Sequence, residues 1–571
     1  MRWVGLVLLL AAGCGFIGLE AVQGDGGLGD VSDDGLVDGV DVRGDDGSDR
    51  RVDADGVDIA SDLPVDASDR DAIDLAMDGS DLMIDASADD AVFVSPDGTD
   101  GALGTRAAPL RRLSEAAGRL EPGSTLVLLP GRYGTAEGTG LLDIACGSAE
   151  TACDGGPCAS GTVEAPITVR ADVERTARFV AGPGDADSMV VVRGCAHYRI
   201  EGLTIVGADI DGNSHHSLRV SESSFVEVRR NLFSRNNRFV NVDLILVFQS
   251  ERILIEENEL YDFHREGVSI FQSADVEVRR NYANARSFAD IAGGLDSLNP
   301  ATGDAAFGCS HSARCLFENN LSDGDVDTAF RIVTSLDSPI TDGEGDDERF
   351  FGNLMVGAGR GIVCASGCGG AASCGTRDEL AVDRPLLRDN VFIGTGVEDA
   401  VELVGTREAE LNRNTFLDSR IRLRVGSGNA SIMGSVRVTN NATARSAGLA
   451  MFVTEQTSSA IDFNNTFGPN PQISVDDGSV SLDTNTALDP ENGVCLHRNR
   501  TESPLQTLGE GGLGVGATVV DRYEGGALTD VPLWDVDGSY PCGAVVAGIN
   551  DTGPRCTNAH ERFNVGPCPV E

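Results

Sequence analysis

A short unit, apolar strand then asparagine then a second short strand, recurs along this chain and limits the folds open to it. It reads VEVRRNLF around Asn231, ILIEENEL around Asn258 and VEVRRNYA around Asn281. It continues as CLFENNLS at Asn320, RFFGNLMV at Asn353, LLRDNVFI at Asn390 and AELNRNTF at Asn414, with weaker copies VRVTNNAT at Asn441 and IDFNNTFG at Asn465. The intervals are 27, 23, 39, 33, 37, 24, 27 and 24 residues. Five fall between 23 and 27, so the other three read as the same unit carrying inserted loops. A unit this short cannot bury its own apolar face, and its stability must come from copies stacked on either side. Asparagine tolerates left-handed backbone and suits a tight turn between strands. At the strand spacing of about 4.8 Å, stacked amides would hydrogen-bond from turn to turn as a ladder. Alternation then turns Val226, Val228, Ile253, Ile255, Val276 and Val278 inward.

The expected fold is therefore all-β: a right-handed parallel β-helix over 91–484, with a short N-terminal capping helix and an irregular disulfide-rich cap over 485–571. The clearest helical periodicity runs from Pro109 to Leu120, with Leu110, Leu113, Ala117 and Leu120 on one face. What precedes 91 is different in kind. Arg2 and the apolar stretch Val4 to Ala12 form a secretion signal, far short of the roughly twenty residues that span a bilayer. Ala11-Ala12-Gly13 before Cys14 resembles a bacterial lipobox. The resemblance implies removal of residues 1–13, lipidation of Cys14 and, with Gly15 following, an outer-membrane anchor.

The net charge of −46 is concentrated. Between Gly24 and Asp90 there are 22 Asp, no Glu and 4 Arg, a net of −18, and no aromatic residue. Such a stretch cannot bury enough apolar surface to offset chain entropy, so 14–90 is expected to be an extended acidic tether. Acidity on this scale excludes nucleic acid as a partner. The 13 cysteines beyond Cys14 cluster locally, at Cys146, Cys153 and Cys158, at Cys309 and Cys315, at Cys364, Cys368 and Cys374, and at Cys556 and Cys568. In an exported chain they read as disulfides, with Cys495, Cys542, Cys556 and Cys568 stapling the C-terminal cap; the pairing is left open.

The segment FVSPDGTDGALGTRAAPLRRLSEAAGRLEPGSTLVLLPGRYG, Phe93 to Gly134, resembles the N-terminal cap of pectate-lyase-like right-handed β-helix proteins, on Pro122-Gly123 and Pro130-Gly131-Arg132-Tyr133. The resemblance covers about 91–469 and implies an acidic or cell-surface polysaccharide as partner. Ser250, Ser273 and Ser312 each stand eight residues before a ladder asparagine, so Gln249, Gln272 and His311 should stack in one polar stripe suited to sugar hydroxyls. Asp323, Asp325 and Asp327 alternate in an extended segment and should share one side, an oxygen set fit for Ca²⁺. The longest insertions flank them: Arg286 to Phe307, with Asp290, Asp296 and Asp304, and Ser338 to Arg349, with Asp342, Glu344, Asp346 and Asp347. The pectate-lyase branch uses a lysine base, and this chain has no lysine at all. Related β-helix lyases use arginine, which points to Arg265 or Arg331 as base, with His264 and His311 as alternatives. The expectation is polysaccharide binding by a lipid-anchored protein. Its alternatives are a Ca²⁺-dependent lyase or epimerase on uronic-acid polymers, and a non-catalytic adhesin or structural spike.

Overall fold

The computed structural model describes residues between 91 and 533, apart from internal stretches such as 286–302, 335–344, 367–381, 425–433 and 489–502. Cys14, the signal and the acidic tether lie outside the described residues, as does 534–571. The body is a right-handed parallel β-helix whose three sheets hold thirteen, twelve and twelve of the described strands. One coil shows the path. Ile245–Phe248 lies in a front sheet, Glu251–Glu256 in a middle sheet, and Glu259–Tyr261 in a narrow sheet of three-residue strands. The chain then re-enters the front sheet at Glu266–Phe271, with Val268 paired to Ile245 one rung away.

The interior follows from alternation. Val226, Val228, Ile253, Ile255, Val276 and Val278 are all buried in one continuous core, as expected. Further along, Phe307 stacks on Phe330 at 5.0 Å and Phe317 on Phe350 at 5.2 Å. These rings lie in the coils that carry the longest insertions.

Asparagines hold the corner between middle and narrow sheets. Asn231, Asn258, Asn281, Asn320, Asn353, Asn390, Asn414 and Asn441 form one buried column. From Asn258 onward each Oδ1 accepts both the backbone N–H and the side-chain amide of the asparagine one rung before, as Asn281 does from Asn258 at 2.9 and 3.0 Å, while Asn231 at the head of the column accepts from the Leu203 N–H at 2.9 Å. Two details differ from the sequence reading. The next member is Asn464, not Asn465, and the column ends on Asn485. The left-handed residue is not the asparagine but the one before it: Arg230, Glu257, Arg280, Asn319, Asp389, Arg413 and Asn440 all have φ between +52° and +59°. The αL residue makes the bend, which frees the asparagine to turn its amide inward. A parallel serine column holds the corner between front and middle sheets, where Ser250, Ser273 and Ser312 each accept from the backbone N–H of the serine before it at 3.0–3.1 Å.

The capping helix spans only Leu113–Ala117. Leu110 is held extended by a bridge to Val94, and Arg112 keeps extended backbone angles. The periodic Leu110, Leu113, Ala117 and Leu120 are nonetheless all buried. Three disulfides are present among the described residues, Cys146–Cys195, Cys153–Cys158 and Cys309–Cys315, while Cys364 is a buried thiol. The remaining cysteines lie outside the described residues.

The C-terminal segment was expected to close the end of the helix. Its described part instead runs back along the side. Glu510 donates its N–H to Asn440, Ala517 to Thr415, and Tyr523 to Asn319, retracing coil after coil. The hairpin Asp521–Glu524 and Ala527–Pro532 closes this strap. Tyr523 stacks on Phe351 at 5.2 Å and its hydroxyl reaches Asp389, while Gly525 and Gly526 donate to Glu318 at 3.1 and 2.6 Å. The strap has a reason to lie there, because the outer face of the narrow sheet carries an apolar cluster. Leu232, Tyr261, Tyr282, Leu321, Leu354 and Val391 cluster with Ala517 and Leu533.

Candidate functional site

The densest arrangement of titratable groups that is not spent on holding the fold sits at the front sheet, where each coil enters it from the narrow sheet. Asp243 precedes the strand Ile245–Phe248, Arg265 and Glu266 open the next, Asp304 stands in the third, and Arg331 in the fourth, Val326–Thr334. Loops of different length feed these strands, so residues 88 positions apart from Asp243 to Arg331 reach one patch.

Arg331 sits one rung beyond Gly308 in the register of the sheet, and Glu266, on the strand one rung before and in register with Ala305, brings its carboxylate against Gly308. Glycine leaves room for the Glu266 carboxylate there: a Cβ on Gly308 would stand 2.5 Å from Glu266 Oε2 and displace it. Through the gap Arg331 Nη2 meets Glu266, while its Nη1 holds Asp304 at 2.8 Å. Arg265 Nη1 lies 3.3 Å from Asp243 Oδ2. The Asp243 N–H donates to His216 Nδ1 at 3.1 Å, which fixes that nitrogen as an acceptor.

Asp243 is fully buried, and among the described residues its Oδ1 has no hydrogen-bond partner. Burial, with the neighbouring Glu266 charge adding to it against the pull of Arg265, pushes its carboxyl up to about 8. Burial would raise Glu266 too, but Arg331 and Arg265 hold it below the usual carboxylate value. Two carboxyls close together in a dry site are thus pushed in opposite directions, Asp243 upward and Glu266 downward. The groups that water reaches are Arg265 and Arg331, with side chains 30% and 20% exposed, and Asp304.

At the other edge of the same sheet stands the stripe. Gln249, Gln272 and His311 occupy successive αL corners, and Gln249 Nε2 donates to Gln272 Oε1 at 3.1 Å. Beside it Phe248 and Phe271 stack at 6.0 Å on the outer face of the sheet, with the edge of His311 against Phe271 at 5.0 Å and Arg219 over Phe248 at 5.7 Å. Their faces are covered by one another, so they offer ring edges to solvent. Cys309–Cys315 ties off the turn that presents His311.

Of the expected catalytic residues, the structure brings Arg265 and Arg331 together around Glu266 and Asp243. His264 is exposed at the corner, where its carbonyl accepts from Asp304, and His311 belongs to the stripe. Of the expected calcium set, the two described members, Asp323 and Asp327, do not meet. Gly324, with φ +68°, turns the chain between two faces. Asp323 ends a strand of the narrow sheet, buried and accepting from the Tyr282 hydroxyl at 2.5 Å and Asn284 at 3.2 Å. Asp327 opens the front-sheet strand and is paired with Arg360 at 2.6 Å. Asp325 lies outside the described residues, as do Asp290, Asp296, Asp342 and Glu344. Among the described residues no three His, Cys, Asp or Glu side chains gather to hold a metal ion. Sequence reasoning missed Asp243, Glu266 and His216. A signal for the first two was present, since each is a lone acid opening an apolar strand, DLILVF and EGVSIF.

The right-handed β-helix region family matches residues 184–342. No curated protein matches the sequence. Solved structures with similar coordinates include the pectate lyase Pel9A, at 14% identity and a TM-score of 0.34, over 75% of this chain and 96% of that one. They also include the GH136 lacto-N-biosidase from Eubacterium ramulus, at 12% identity and a TM-score of 0.42, over 70% of this chain and 68% of that one. A third is the PL6 family polysaccharide lyase Pedsa3628 from Pseudopedobacter saltans, at 12% identity and a TM-score of 0.37, over 71% of this chain and 97% of that one. The activities in those names belong to those proteins. What this chain itself carries, on its fold and on the segment matched by the family, is a right-handed parallel β-helix.

Proposed function

We propose that this protein is an exported lipoprotein, anchored through Cys14, that binds polysaccharide along the outer face of the front sheet. The observation that carries the binding reading is the continuity of that face. Ser269, Gly308, Arg331, Val363 and Glu402 stand in one register column. They cover about 19 Å at the usual strand spacing, between the Asp243–Glu266 cluster on one side and the Gln249–Gln272 stripe on the other. Of that column Arg331 and Glu402 are the part-exposed polar members, while Ser269, Gly308 and Val363 are buried. An extended face of this kind suits a polymer better than a small molecule, which would need a concave site.

Binding is favoured over β-elimination by the residues themselves. The sequence holds no lysine to act as base, Arg331 is locked between two carboxylates, and two of the expected calcium carboxylates, Asp323 and Asp327, lie on different sheets.

The test is affinity electrophoresis of the full chain through gels holding neutral, uronate and sulfated polysaccharides. Absorbance from unsaturated products is followed in parallel, with Ca²⁺ or with EDTA. Retardation by at least one polymer, weakened by Gln272→Ala, is the expected result. Free migration on every polymer, or accumulation of unsaturated product, overturns the reading. The anchor has its own test: Cys14→Ser should move the protein from the membrane fraction to the soluble one, and an unchanged distribution removes lipidation.

A further inference from the structure

We infer that the glycan read by this face is uncharged, an inference that rests on the polysaccharide-binding reading above. The reason is the state of the guanidinium groups that would have to receive an acidic sugar. Arg331 has one Nη on Glu266 and the other on Asp304 at 2.8 Å. Arg360 has one on Asp327 at 2.6 Å and the other 3.4 Å from Glu402. Arg265 is held by Asp243 at 3.3 Å. A uronate or sulfate could dock in two-pronged fashion only by displacing a carboxylate already in place, and Glu266 is fully buried behind its arginine. Arg219, further along, lies over the Phe248 ring.

The charge balance points the same way. Around the centre, three arginines face Asp243, Glu266, Asp304, Asp327 and Glu402. Five carboxyl groups, Asp243 among them, thus face three guanidiniums. Beyond the centre, removing the −18 of the tether from the −46 of the chain leaves −28, all of it on residues 91–571 because Arg2 and Glu20 cancel. A polyanion approaching this surface is repelled.

The solvent-reaching groups do fit sugar hydroxyls. Asp304 and Asp327, with side chains 46% and 51% exposed, accept from hydroxyl donors, and the Gln249 and Gln272 amides both donate and accept. A neutral glycan supplies donors to these carboxylates, whereas a uronate turns acceptors toward them. A neutral glycan also lacks the carboxylate that acidifies its adjacent C–H, so β-elimination is not chemistry for this face.

The experiment compares matched polymers on the full chain: polygalacturonate beside its carboxyl-reduced form, within a panel of other neutral, uronate and sulfated glycans. Retention by a neutral polymer, no retention by anionic ones, and little change between low and high salt are expected. The Asp304→Asn variant, which opens one prong of Arg331, should shift the preference toward anionic polymers by about tenfold. Retention by uronate or sulfated polymers equal to or above that by neutral ones overturns the inference and leaves the binding reading standing. So does an Asp304→Asn variant with wild-type preference. Retention by no polymer removes the binding reading, and this inference with it.

Discussion

Replacing Asn353 with alanine tests the ladder at its centre. Asn353 is fully buried, and its Oδ1 accepts from Asn320 N at 2.9 Å and Asn320 Nδ2 at 3.0 Å. Its Nδ2 donates to the Phe317 carbonyl at 2.9 Å and to Asn390 Oδ1 at 3.0 Å. Truncation does not orphan all four partners. Asn320 Nδ2 keeps the Val278 carbonyl at 2.7 Å, and Asn390 Oδ1 keeps the Asn353 backbone N–H at 3.0 Å. The Asn320 N–H loses the acceptor that it has in the column, and the Phe317 carbonyl loses its side-chain donor. One buried orphan costs about 1–3 kcal/mol and each of the three further lost bonds about 0.5–1.5 kcal/mol, so destabilisation of about 2.5–7.5 kcal/mol is expected. Urea unfolding followed by circular dichroism reads it as a fall in midpoint at unchanged slope. Asn353→Asp sharpens the test, because a carboxylate oxygen would then face the Phe317 carbonyl and Asn390 Oδ1. Its folded-state pKa should rise above the unfolded one, so the variant is most stable at low pH and loses stability as pH increases. A cost below about 1 kcal/mol for Asn353→Ala, or an Asn353→Asp variant indifferent to pH, would refute the ladder as the element that holds the coils in register.

Gly308→Ala should separate Glu266 from Arg331, since the new Cβ would stand 2.5 Å from Glu266 Oε2, and glycan retention should fall while the far-ultraviolet spectrum of the sheets is kept. Burial pushes the Glu318 carboxyl up to about 7, against the lowering pull of the Gly526 N–H, from an ordinary 4.5. A raised folded-state value means its contribution is full below pH 4.5 and lost as pH climbs through about 7. Hydrogen exchange at Gly525 and Gly526 should therefore quicken above neutrality, and Glu318→Gln should flatten that dependence. Tyr523→Phe removes the hydroxyl that donates to the buried Asp389 carboxylate, and should lower the melting temperature by the equivalent of about 1–3 kcal/mol, with the strap amides losing protection first.

Legibility in the sequence followed the range of the interaction. The coil repeat could be read because every copy obeys the same local rule, two inward residues flanking a corner, and copies align without knowledge of the third dimension. The one-residue slip at Asn464 came from adjacent asparagines, Asn464 and Asn465, which composition cannot tell apart; only the hydrogen bond from Asn441 does so. Aspartates 323 and 327 look equivalent in an extended segment, and a single positive φ at Gly324 sends them to different sheets.

The sequence alone determined the parallel coil, its inward-facing valines and isoleucines, the asparagine column and the polar stripe of Gln249, Gln272 and His311. These depend on period-two alternation and on spacing within one turn, both of which are written along the chain. The tertiary structure alone decided that Asp243, Glu266, Asp304 and Arg331 form one cluster, that Gly308 leaves room for it, and that the C-terminal strap lies along the side. Those contacts depend on which loop lengths bring which rungs side by side. No local pattern carries that information, because the inserted loops change the sequence distance between neighbours while the strand spacing stays fixed.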